Sequence, residues 1–128
     1  DVFNDDQFSD VKDNQFESIF WINGFIKIIN NIPLLSGKID KIFNNISKDI
    51  DHQDVEKAGK FVIHNKAWNY INHINVNDPI HIECIKIKSS KRFLESLTYS
   101  ILYFQELEEY EKCQFLKNIE LKVKEFYT

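Results

Sequence analysis

The stretch from Phe93 to Phe126 constrains the fold more than any other part of the chain. Apolar residues recur there every three or four positions, on both sides of a short acidic bend at Glu106, Glu108, Glu109 and Glu111. That interval matches the turn of an α-helix, and a bend between two such runs folds them back on each other. The spacing predicts helices over about 91–104 and 108–126, paired as an antiparallel hairpin. Proteins use such a hairpin mainly to pack against something.

The same interval continues toward the N-terminus. A helix over about 14–31 carries Phe16, Ile19, Phe20, Trp21, Ile22, Phe25, Ile26, Ile28, Ile29 and the adjoining Ile32, which cover more than half its circumference. A helix that apolar is central in a bundle or faces a partner as well as its own core. Pro33 and Gly37 break the pattern. Ile39, Ile42, Phe43, Ile46 and Ile50 then form one stripe of a helix over 38–50. Asp51 or Asp54 caps a third helix reaching about Ile74, with a strand at Phe61 to His64 as the alternative. Asn77-Asp78-Pro79 places a capping residue before a Pro suited to the first helical position. Ser89-Ser90 kinks or interrupts the helix that follows. With only 3 Gly and 2 Pro, the chain lacks the turn residues of an all-β protein. The expected architecture is all-α: a compact bundle of about five helices ending in the hairpin, joined by short loops. One helical domain is expected over 14–128, after an acidic, extended or poorly ordered segment over 1–13.

The totals narrow the function. At 128 residues with 43% hydrophobic content, the chain can build one core without a metal or disulfide. A net charge of −4 argues against nonspecific attraction to nucleic acid or anionic membranes. No stretch approaches the roughly 18–20 apolar residues of a membrane span. Two cysteines, Cys84 and Cys113, suit a reducing compartment, and 1–13 has no apolar leader region, so a cytoplasmic location is expected. The absence of Met reads as a trimmed start, so a lost leader stays open. Abundant Ile, Asn, Lys and Phe track an AT-rich genome such as a low-GC bacterium, its phage or a parasite.

No arrangement of residues demands a particular chemistry. Zinc ligands come as close pairs, and among His52, His64, His73 and His81 the nearest candidate pair is His81 with Cys84. His64, between Phe61 and Trp68, reads as a packed imidazole. The acidic run from Asp49 to Asp54 lacks the glycine turn and final Glu of a calcium loop. The glutamates of the bend read as a helix-start cluster favoured by the dipole rather than a carboxylate pair for hydrolysis. Cys113 reads as a core thiol, and Lys86, Lys88, Lys91 and Arg92 as a solvated helix face. No cofactor, metal ligand or catalytic residue is assigned.

Within the hairpin, Tyr110 and Glu111 form an aromatic-acid pair, Cys113 follows as a small residue, and Leu116 and Lys117 form a Leu-basic pair. This order resembles the UVR motif, a short helical hairpin of repair proteins and several adaptors. The resemblance covers about a quarter of the chain. Gln114 and Asn118 replace a small residue and an acid, and Ile119 arrives one position early. It implies a protein-contact module and does not imply DNA repair.

The expected function is therefore a non-enzymatic helical interaction or accessory protein, whose partner is another protein or a second copy. Trp21, Phe25 and Ile28 are the candidate partner-facing strip, with Glu106 and Glu109 as acidic contacts. The alternatives are an antitoxin or immunity-type inhibitor presenting acidic surface to a basic target, or a component of a phage or virus particle.

Overall fold

Helix starts in this chain follow local chemistry. The computed structural model describes residues 5–33, 37–38, 41–42 and 51–127. Five helices account for most of them: α1 (Asp5–Asn30), α2 (His52–Ile71), α3 (Pro79–Lys88), α4 (Lys91–Glu106) and α5 (Tyr110–Phe126). No strand occurs among the described residues, and Phe61 to His64 lie inside α2. The protein is an all-α bundle. The expected helix over 38–50 lies outside the described residues, apart from Lys38, Lys41 and Ile42.

Asp51 accepts a hydrogen bond from the Gln53 N–H at 2.9 Å and starts α2. Asp78 does the same for Ile80 at 2.9 Å, with Pro79 in the first turn of α3. Each carboxylate satisfies an N–H that the helix itself leaves free. Ser90 accepts from Phe93 N–H at 3.1 Å, so Ser89-Ser90 ends one helix and caps the next. The helix α1 begins at Asp5 rather than about Asn14. Residues 5–13, expected to be extended or poorly ordered, are helical, and their acidic character suits the positive end of the helix dipole.

The acidic bend is built from backbone rather than from side-chain caps. Glu109 N–H donates to Phe104 C=O and Glu108 N–H to Gln105 C=O, both at 3.0 Å. This is the paired closure of a Schellman turn. Its left-handed position, usually glycine, is Glu108 with φ 59°. Glu109 makes no side-chain capping bond and pairs instead with Lys112 at 3.3 Å. The reading of the glutamates as a capping cluster is corrected to that extent. A side chain in the left-handed region costs about 1 kcal/mol. Glu108→Gly is therefore expected to raise stability by about 0.5 kcal/mol after the added freedom of the unfolded chain is deducted. Chemical denaturation checks it; a loss of stability contradicts the turn assignment.

The helix α1 sits at the centre, packed against α2, α3 and α4, while α4 and α5 form the antiparallel hairpin and α3 leans on α5. Its buried row is Ser18, Ile22, Phe25 and Ile29. Phe25 meets Phe93 of α4 with ring centroids 6.4 Å apart. Ile63, Ala67 and Ile71 of α2, Cys84 and Ile85 of α3, Leu97, Ile101 and Phe104 of α4 and Cys113, Leu116, Ile119 and Val123 of α5 share the core. The thiols of Cys84 and Cys113 are free and buried.

Candidate functional site

The helices α2 and α4 do not close on each other along their length. They are bridged by rings: the His64 imidazole lies flat on Tyr103, 3.8 Å between centroids and 6° from parallel. Trp68 meets Phe104 edge to face at 5.9 Å. Beside this bridge runs a groove of about 830 Å³, lined from α2 by Lys57, Ala58, Lys60, Phe61 and His64. Its other wall is Tyr99, Leu102, Tyr103, Glu106 and Leu107, from α4 and the start of the bend.

Each wall follows from helical spacing. Ala58 and Phe61 are three residues apart on α2, and Tyr99, Leu102 or Tyr103, and Glu106 recur at three to four on α4. Residues at that spacing share one helix face and form a ridge. Phe61 and Leu102 are more than half exposed, so both ridges present apolar surface to solvent.

The electrostatics make this a quiet site. His64 is 1% exposed, and its Nδ1 has no hydrogen-bond partner. Burial, aided by the positive charge of Lys60, pushes its pKa down to about 4. Its imidazole is therefore neutral near pH 7 and serves as an aromatic plate. Burial and the carboxylates of Glu109 and Glu106 push the Tyr103 phenol up, which keeps it protonated. The rim is divided by sign, with Lys57 and Lys60 on one wall and Glu106 on the other. From α5, the Lys112 ammonium stands 4.9 Å from the Phe104 ring and 5.4 Å from that of Trp68, a cation–π arrangement.

The other polar groups read from the sequence have structural partners. The Nδ1 of His81 accepts from Asn75 N–H at 2.8 Å, which leaves its Nε2–H to donate to Asn14 Oδ1 at 3.2 Å. This histidine ties the turn before α3 to α1. Cys84 donates to Gln15 C=O at 3.6 Å, and burial together with Asp78 raises its pKa, which opposes thiolate formation. Among the described residues, no group of three His, Cys, Asp or Glu is placed to hold a metal ion. No described helix is long and apolar enough to cross a membrane.

The structure divides the expected contact residues. Phe25 is 0% exposed and belongs to the core, so it cannot face a partner. Its ring is fixed against Phe93, and the assignment is corrected. Trp21 is half-buried, stacked on His73 at 4.6 Å, and Ile28 is half-buried against the core. Glu106 is exposed at the groove rim, while Glu109 is half-buried beside it. Phe16 and Phe20, read from the sequence only as part of the apolar majority of the helix, are exposed aromatics of α1, at 74% and 54%. Compared with protein-family models, curated proteins and solved structures, the chain matches none.

Proposed function

We propose that this protein is a non-enzymatic interaction module that receives an amphipathic helix of a partner protein in the α2–α4 groove. The observation that carries the reading is the pair of exposed apolar ridges, Ala58–Phe61 and Tyr99–Leu102, flanking a trough floored by rings. Two such ridges offer a third helix the groove it would find in a bundle. The lining spans two turns on each wall, about 10–12 Å, which fits anchors at i, i+3 or i+4, and i+7 on the incoming helix. The split rim sets its polar flanks: acids toward Lys57 and Lys60, a base toward Glu106. The hairpin whose sequence resembles the UVR motif supplies one wall, in keeping with a docking role.

A photo-crosslinking residue at position 102, introduced in the cells that make the protein, tests this. The reading expects a crosslink to a segment of another protein with apolar residues at helical spacing. Leu102→Glu is expected to lower retention of that protein on the order of tenfold or more, with the melting temperature unchanged. A crosslink to this same chain, or a Leu102→Glu variant that loses its fold, shows a groove filled from within and overturns the reading. So does the absence of any protein adduct.

A further inference from the structure

The helix α1 carries two seams on opposite sides. The buried one is Ser18, Ile22, Phe25 and Ile29, at intervals of four, three and four. Asp13, Phe16, Phe20, Asn23 and Lys27 repeat at three, four, three and four on the side facing away from the core, and all five are exposed. A three-four alternation sustained over two heptads is the seam pattern by which one helix pairs with another. Around it lies a shallow apolar hollow of about 400 Å³ lined by Phe16, Ile19, Phe20, Gly24 and Tyr70 among others. Tyr70 of α2 broadens it, its ring 5.6 Å from that of Phe20. The same ring crowds Gly24, where an added Cβ would come within 2.5 Å of it, so the helix surface there stays low beside the two phenylalanines.

We infer that this seam joins two copies of the chain, α1 against α1, in antiparallel orientation. The charge order along the seam selects the occupant and its direction. Acid outweighs base at one end, where Asp13 and Glu17 stand with Lys12, and base lies at the other, Lys27. An antiparallel copy brings Asp13 of each chain within about one turn of Lys27 of the other, while Phe16 and Phe20 meet Phe20 and Phe16 at the centre. A parallel copy sets Lys27 against Lys27 and Asp13 against Asp13. The two-fold contact is thus self-complementary in apolar shape and in charge. One helix face offers less than the roughly 800 Å² per partner of a standard interface, so the dimer is a weak one with a micromolar Kd. It uses a surface separate from the α2–α4 groove and stands or falls independently of it.

Analytical ultracentrifugation of the purified chain across micromolar concentrations tests the pairing. The wild type is expected to pass from monomer to dimer. Phe20→Glu is expected to raise the Kd on the order of 100-fold, with helical circular dichroism and melting temperature retained. Orientation is read by thiol crosslinking. Asp13→Cys mixed with Lys27→Cys is expected to give a crosslinked heterodimer, with Cys84 and Cys113 buried and silent. A chain that stays monomeric, a dimer indifferent to Phe20→Glu, or Lys27→Cys linking to itself more readily than to Asp13→Cys overturns the inference. So does a monomer whose Phe16–Phe20 seam is occupied by a different protein.

Discussion

Phe104→Ala is expected to remove about 3–5 kcal/mol of stability, the largest effect of any single substitution considered for this protein. Phe104 is fully buried in the last turn of α4, just before the bend of the hairpin. Its ring is enclosed by Trp68 at 5.9 Å, Tyr103 at 5.3 Å and His64 at 6.3 Å, with the Lys112 ammonium over its face. Truncation removes the transfer free energy of a benzyl group and leaves a cavity walled by rigid rings, which collapse poorly. It also strips Lys112 of half its cation–π seat. Against a total stability of about 5–15 kcal/mol, the loss is a large fraction of the fold. For a chain of this length it corresponds to a fall in melting temperature on the order of 10–20 °C. Phe61→Ala, at an exposed ring of the same groove, is the comparison and is expected to cost under about 0.5 kcal/mol. Equal losses for the two would mean that Phe61 is covered and that the groove is part of the core.

The contrast between those two phenylalanines shows what the sequence could and could not reveal. Helix starts at His52 and Pro79 were legible because Asp51 and Asp78 act within two residues of themselves, and capping needs no tertiary contact. The interruption at Ser89-Ser90 was legible for the same reason. The closure of the hairpin at Glu108 was hidden, since the usual sign of a left-handed position is glycine and here a glutamate occupies it. The backbone bonds from Glu108 and Glu109 hold that residue in place against its own preference.

Which face of α1 points inward was ambiguous from the sequence, because apolar residues cover most of its circumference. Periodicity alone cannot choose between the Phe25 side and the Phe16–Phe20 side. The choice is made by α2, α3 and α4, which pack on α1; on α4, Phe93 meets Phe25 and Ser96 accepts from the Asn30 amide. Glu106 is exposed but ends α4 rather than lying on the bend, and its place at the groove rim depends on Lys57 and Phe61, some forty-five residues away in the chain. The groove unites two helices that are distant in sequence, and no local pattern in either marks it.

His64 gives the fold a measurable acid sensitivity. Its pKa is lowered to about 4 in the folded protein, while the unfolded chain titrates near 6.5. Between those values the unfolded state binds a proton that the folded state refuses. The stability linked to this histidine is therefore complete above pH 6.5, falls as pH drops through that value, and stops changing below about pH 4. Full linkage gives about 2 kcal/mol lost between pH 7.5 and pH 5; water approaching the ring from the groove reduces it toward about 1 kcal/mol. His64→Phe keeps the flat ring against Tyr103 and removes the titration. Urea unfolding of both proteins at the two pH values isolates the effect, because every other titrating group is shared. The wild type is expected to lose about 1–2 kcal/mol more than His64→Phe on acidification. Equal pH dependence in the two proteins would place the imidazole in contact with bulk water, and the ring bridge between α2 and α4 would then have to be open in solution.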